Sequence, residues 1–333
     1  MLVPGIELAG VGAALPAGRL TNADLEKLLD TSDAWIVQRT GIRERRVRVR
    51  EQGDTTTSLA TRACASALQD AGLKPTDLDL IVVATMTPDM PTPGVSSVLA
   101  DRIGAGTIAA MDVNGACSGF VFALNTAAAL MNLGTYRTVA VIGADCLTNH
   151  VDYSTFGRGT AILFGDAAGA IILRASADRS KGMITQAMHS DGEGSRHLFV
   201  PMCMRDFPEG HEPDERKLNV VQMNGGAVFK FAVKTFGDLI DETLRKAKLA
   251  PTDVDHYICH QSNKRILDAS RDRFGLDADR LLINIDRFGN TVAASVPLAL
   301  NDLRQAGRVR PGQKIMFLAF GAGLTWGSSL WQI

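Results

Sequence analysis

Leu73-Lys74-Pro75-Thr76-Asp77-Leu78-Asp79 and Leu249-Ala250-Pro251-Thr252-Asp253-Val254-Asp255 are one loop written twice, 176 residues apart, with five of seven positions identical. Each copy follows a helical pattern and leads into an apolar strand. The segment beginning at Arg137 meets the one beginning at Gln313 at the same offset. Two matches in register predict a chain of two similar halves sharing one core, since the period is too long for a solenoid. The polar, turn-like stretch Ala175 to Gly182 is the natural join. The expected units are therefore 1–178, carrying a candidate nucleophilic cysteine, and 179–333, carrying candidate histidine and asparagine partners.

Strand and helix patterns alternate, as in α/β proteins with buried parallel strands. Asp79 to Thr85, Arg137 to Gly143 and Gly169 to Leu173 read as strands, and Thr56 to Ala71 as a helix capped by Gly72. The chain has 333 residues, is 46% hydrophobic and has a formal net charge of −1. That balance argues against disorder and against a nucleic-acid partner. Met1 to Gly5 shows no basic leader or cleavage motif, and no apolar run approaches the ~20 residues of a membrane span. A soluble, cytoplasmic protein is expected. Five cysteines without C-x-x-C spacing predict neither a disulfide framework nor a metal site.

Cys117 stands apart from the other four. Asp112-Val113-Asn114-Gly115-Ala116-Cys117-Ser118-Gly119-Phe120 joins a strand (107–113) to a helix that is apolar on nearly every face and therefore buried. A cysteine at a helix start has amides and a dipole that favour a thiolate. The competing reading is a buried structural thiol, and this segment alone leaves the two open. A base is sought in His260, at the carboxyl end of the strand 255–260, where α/β proteins place their sites. Asn290 lies in a Gly-containing turn before an apolar helix (292–300), where a plain helix cap would also explain it. Gly321 to Gly327 turns between the last two strands and offers backbone donors, without the spacing of a phosphate loop. Gly10-Val11-Gly12 lacks the third glycine of a dinucleotide fingerprint. Six arginines from Arg39 to Arg50 predict an exposed strand face or a nearby anion, and Arg205 to Lys217 an exposed loop.

These residues, in this order, resemble the β-ketoacyl-acyl carrier protein synthases III, condensing enzymes of the thiolase fold. The resemblance spans the chain: Thr31 to Ile36, Arg39 to Arg45, Asn114 to Gly119, Arg158-Gly159-Thr160, Phe164-Gly165-Asp166, His260 to Asn263, Gly289-Asn290-Thr291 and Gly323 to Gly327. It implies an α/β thiolase-like fold, two duplicated βαβαβαββ halves in a five-layered αβαβα sandwich. It further implies that Cys117 takes an acyl group from acyl-CoA. His260 and Asn290 then bind the thioester carbonyl of malonyl-acyl carrier protein as carbon dioxide leaves. The product is a 3-oxoacyl-acyl carrier protein, the opening step of fatty acid synthesis. The amides of Cys117 and Ala322 form a second oxyanion hole, and Phe320 packs among the catalytic groups.

By the same resemblance, Trp35 and Arg158 sandwich the CoA adenine, and Arg39, Thr40, Gly225 and Asn263 line the CoA path. Lys230, Arg265, Arg271 and Arg273 face an acidic carrier protein. Thr92 belongs to the partner subunit's acyl pocket in a homodimer, where short-chain members have phenylalanine. No metal or resident cofactor is implied, acyl-CoA being a substrate. Ala322 replaces a glycine, which matters only at positive φ, and Val292 stands where serine is frequent. Other readings are a secondary-metabolism condensing enzyme or acyltransferase of this fold, a non-catalytic partner subunit, and a cysteine hydrolase.

Overall fold

The computed structural model describes residues 5–333, so Met1 to Pro4 lie outside the described residues. The first sheet contains β1 (Gly5–Ala14), β2 (Leu80–Ala84), β3 (Ala109–Val113), β4 (Thr138–Asp145) and β5 (Ala167–Ser176). Its order is β1-β5-β4-β2-β3, with β4, β2 and β3 parallel and β5 antiparallel to both its neighbours. The second sheet contains β6 (Gly182–Ser190), β7 (His256–Cys259), β8 (Lys314–Gly321) and β9 (Thr325–Gln332), in the order β7-β8-β9-β6. Here β7 and β8 are parallel and the other pairs antiparallel. A single parallel bridge from Tyr257 to Leu281 stands where β3 stands in the first sheet. The two sheets therefore repeat one topology, and β2 to β7 and β4 to β8 keep the offset of the repeated loop.

Seven helices position the site: α1 (Asp33–Thr40), α2 (Thr56–Ala71), α3 (Val95–Ile103), α4 (Gly119–Asn132), α5 (Gly225–Ala247), α6 (Lys264–Phe274) and α7 (Ser295–Gln305). Helix α4 is apolar around its circumference because both its faces meet a sheet. With α7 it fills the space between the sheets, where Phe120, Leu124, Val296 and Leu300 join Val82 on one side and Ile258 and Phe317 on the other. Burying each such side chain is worth roughly 1.5–3 kcal/mol. Helices α2 and α3 cover the outer face of the first sheet, and α5 and α6 that of the second. The result is five layers. Helix α2 runs as its pattern predicts: Thr55 and Ser58 cap its start reciprocally, and Gly72 ends it at φ 64°.

One member of the arginine-rich run departs from expectation, while Arg39, Arg43 and Arg50 are exposed. Arg45 is fully buried, and its guanidinium donates to Leu20 O, Asn22 Oδ1 and Ile162 O. It ties a small hairpin to the site wall and is neither an exposed face nor an anion ligand. Burial lowers its pKa to about 10, which leaves it charged at neutral pH. Arg205 to Lys217 is mostly exposed, as expected. None of the described helices is long and apolar enough to cross a membrane.

The repeat reaches into the turns. Ala116 and Val292, 176 residues apart, are two of the four non-glycine residues at positive φ among the described residues, at 46° and 52°. Each opens a single 3-10 turn, 116–118 or 292–294, that feeds directly into a central helix. Each is preceded by an asparagine whose Oδ1 accepts its amide, Asn114 at 3.4 Å and Asn290 at 2.9 Å. These are twin elbows, with Cys117 at the apex of one and Ala293 at the apex of the other. The left-handed Val292 also explains why the helix begins at Ser295 and not at Val292 as its apolar run suggested.

Candidate active site

Cys117, His260 and Asn290 line one cavity of about 490 Å3. They are 6%, 1% and 6% exposed. Cys117 arrives from the first elbow, His260 from the end of β7, and Asn290 from the turn before the second elbow. His260 N donates to Leu318 O at 2.7 Å, extending the β7–β8 pairing by one residue and fixing where the ring emerges. Asn290 spends its Oδ1 on Val292 N, which leaves its two amide hydrogens for the cavity. Phe320 meets the His260 ring edge-on, with centroids 5.5 Å apart, and also packs on Phe231 and Phe236.

The electrostatics correct one expectation. The helix-start position predicts a stabilised thiolate, yet burial pushes the Cys117 thiol well above its ordinary value. The charge of Asp145 adds to that push, and a backbone contact offsets only part of it. The resting group is a protonated thiol. Burial also lowers the pKa of His260, to about 3, so the imidazole is neutral. A neutral thiol beside a neutral imidazole is an arrangement in which the sulfur must lose its proton as it attacks.

Asp145 is a residue that sequence reasoning missed. It sits at the end of β4, fully buried. Thr85 Oγ1, Met86 N and Thr87 Oγ1 donate to its Oδ1 and Ala293 N donates to its Oδ2. The carboxylate thus clamps the apex amide of the second elbow. At the equivalent place beside the first elbow stands Gly321, where a Cβ would lie 2.8 Å from Cys117 N and 3.0 Å from Ser118 N. Having no side chain there leaves room at the Cys117 amide for a substrate oxygen.

Burial lifts the Asp145 carboxyl to about 7, its four donors offsetting only part of the cost. The folded protein therefore holds this proton through a pH range in which the unfolded chain, near 4, has lost it. Stability from this group falls as pH rises from about 4 to 7, by at most about 4 kcal/mol. Asp166, also raised by burial, acts in the same direction. Asp145→Asn should flatten the pH dependence of the urea unfolding free energy across that window. An unchanged slope would contradict the assignment.

The remaining expected residues divide. Trp35, Arg39, Thr40, Gly225 and Asn263 line the same cavity. Arg39 and Arg158 both rest on the Trp35 ring, 4.6 and 4.9 Å from its centroid. Trp35 and Arg158 therefore touch and do not stand apart as an open slot. A base entering between them must displace a guanidinium. Asn263 caps α6 through Oδ1 and donates from Nδ2 to Arg39 O, so it also has a structural task. Thr40 spends its hydroxyl on the end of α1, donating to Ile36 O and accepting from Ile42 N just beyond the helix. Ala322 lines the cavity and is not among the residues at positive φ, so its methyl is tolerated; Gly323 takes that conformation at 126°.

Lys230 and Arg265 are exposed and, among the described residues, make no ion pair; Arg265 lies over Phe229 at the cavity. Arg271 and Arg273 are instead held by carboxylates, Arg271 by Asp268 and Asp272, Arg273 by Asp238 and Asp241. Thr92 is exposed on the loop between β2 and α3, outside this chain's cavity. The apolar wall was not anticipated: Met86, Leu147, Phe164, Leu198, Val221 and Met223 line it from five segments, with Leu198 and Met223 paired in a short two-stranded ribbon.

A family model described as 3-oxoacyl-[acyl-carrier-protein (ACP)] synthase III matches residues 111–192, and its C-terminal counterpart matches residues 244–333. The β-ketoacyl-[acyl-carrier-protein] synthase III of Caldanaerobacter subterraneus is 43% identical over 323 residues, 97% of this chain and 96% of that protein. The solved 3-oxoacyl-[acyl-carrier-protein] synthase III of Aquifex aeolicus aligns with a TM-score of 0.90 at 37% identity, covering 99% of this chain and 100% of the other. The priming β-ketosynthase of the R1128 polyketide pathway also aligns, with a TM-score of 0.90 at 32% identity over 99% and 97% of the chains. With two family models and near-complete coverage agreeing on the same site-bearing regions, this chain belongs to the 3-oxoacyl-[acyl-carrier-protein] synthase III family.

Proposed function

We propose that this chain condenses an acyl-CoA primer with malonyl-acyl carrier protein to give 3-oxoacyl-acyl carrier protein, through an acyl group carried on Cys117. The observation that carries this is the convergence of a buried thiol, a neutral imidazole and a carboxamide on one apolar cavity beside an unobstructed backbone amide. In the first half-reaction the Cys117 sulfur bonds to the acyl carbon and the bond to the CoA sulfur breaks. The thiol's proton ends on the departing CoA. The tetrahedral oxyanion lies against the Cys117 and Ala322 amides. In the second, the malonyl carboxylate leaves as carbon dioxide. His260 and Asn290 donate to the resulting enolate oxygen. The carbanion then attacks the acyl-Cys carbonyl, a C–C bond forms, the C–S bond breaks, and the Cys117 thiolate takes a proton from water.

Each of these roles uses a group of this chain; CoA arrives as part of a substrate. Trp35, Arg39 and Arg158 suit the flat, anionic end of CoA, and Lys230 and Arg265 suit an acidic carrier protein. Homodimer formation is supported by β3, an edge strand with one unpaired side and partly exposed residues. Thr92 is offered to such a partner. A cytoplasmic setting fits a protein that draws on CoA and carrier-protein pools.

The test is incubation with malonyl-acyl carrier protein and a panel of acyl-CoA primers. Primer-dependent release of carbon dioxide and formation of 3-oxoacyl-acyl carrier protein are expected. Acyl-Cys117 that forms but never consumes malonyl-acyl carrier protein would remove the condensing assignment.

A further inference from the structure

His260 Nδ1 lies 2.7 Å from Ser295 Oγ, and both residues are 1% exposed. Among the described residues, no other side chain hydrogen-bonds to the imidazole, although the Val292 backbone also approaches it. A neutral imidazole carries one N–H, and its position decides what the other nitrogen can do. With the hydrogen on Nε2, the ring can donate to a substrate oxygen. With the hydrogen on Nδ1, Nε2 offers a lone pair, which repels such an oxygen.

The serine hydroxyl governs that choice, because it too has a single hydrogen. Ser295 Oγ also lies 2.9 Å from Val292 O, a second acceptor to which its hydroxyl can donate in place of Nδ1. That carbonyl already receives the backbone N–H of Ser295, so it is satisfied without the hydroxyl. Directed at Nδ1, the hydroxyl hydrogen excludes a hydrogen there and forces the ring's own to Nε2. The left-handed Val292 sets this up by bringing Ser295 to the start of α7 at the depth of the ring.

We propose that Ser295 is a positioning residue of the condensing half-reaction: its hydroxyl donates to His260 Nδ1 and so presents Nε2–H, alongside Asn290, to the malonyl thioester oxygen. The assignment rests on the reading of His260 as an oxyanion donor. It predicts that Ser295 matters where that donor is used and not where Cys117 is acylated.

The test compares wild type, Ser295→Ala, Ser295→Thr and His260→Ala in two assays: acyl transfer to Cys117 followed by intact mass, and carbon dioxide release from malonyl-acyl carrier protein. Ser295→Ala should acylate within about twofold of wild type, which reports an intact fold. Its decarboxylation kcat should fall about 10- to 100-fold with little change in KM, as for loss of a group that orients a histidine. Ser295→Thr, which keeps the hydroxyl, should recover most of the rate. In 15N spectra the His260 ring should show a protonated Nε2 and a bare Nδ1 in wild type, and a mixture in Ser295→Ala. Normal decarboxylation by Ser295→Ala, while His260→Ala is impaired, overturns the proposal alone. So does a wild-type spectrum with the hydrogen on Nδ1, or a threonine variant that acylates but decarboxylates no better than alanine. Normal decarboxylation by His260→Ala overturns the underlying reading of the site instead.

Discussion

Cys117→Ala protein mixed with acyl-CoA gains no mass, whereas wild type gains one acyl group per chain. The effect on condensation is correspondingly the largest expected for any single residue, a loss of at least about 10^4-fold. No pre-formed thiolate is required for this. The structure makes the resting thiol harder to ionise than free cysteine, so alkylating reagents should label it slowly despite its catalytic place. What makes it the nucleophile is access: it stands on a left-handed elbow, with glycine across from its amide and an apolar cavity in front. Cys64, Cys146 and Cys259 are buried without such an opening. An acyl mass that survives in Cys117→Ala would locate the nucleophile elsewhere and undo the mechanism.

His260→Ala separates the two half-reactions. Acylation of Cys117 by acyl-CoA should persist, because the oxyanion of that step lies against backbone amides. Carbon dioxide release from malonyl-acyl carrier protein should fall about 10²- to 10³-fold, the usual cost of removing one donor from an oxyanion site. Phe320 packs edge-on against the ring, so the substitution also removes a packing contact. Acylation retained in His260→Ala would show that the cavity shared by Phe320 and Cys117 is intact. Equal loss of both half-reactions would mean that His260 holds the site together and is not the donor.

Much of the fold was legible because it was written twice. The repeated loop before β2 and β7, and the strands β4 and β8, fixed two equivalent sheets without any structural knowledge. The uniformly apolar α4 announced a helix with a sheet on each face. Arg45 was misread for a physical reason: an arginine buried on backbone carbonyls gives the same alternating charge pattern as one in water. The thiolate expectation failed because a helix start acts over a short range, while burial depends on what the remote half places around it. Asp145 and Ser295 gave no signal either. One is a polar residue at the end of an apolar strand, the other a common helix-start serine. Their importance lies in contacts spanning 148 and 35 residues. The cavity wall, gathered from separate segments, was illegible for the same reason.

The twin elbows carry a consequence for how such a chain diverges. A molecule made of two copies begins with two equivalent chambers, and this one has kept a single working room. Around the second elbow, alanine stands at the apex and the Asp145 carboxylate seals the amide. Around the first, cysteine stands at the apex and Gly321 leaves the amide open. The halves have also exchanged tools: Ala84 occupies the place in the first that His260 occupies in the second. Neither copy is a catalyst by itself. Each is the other's missing part, so selection acts on the pair as on a lock whose two pieces can be recut only together.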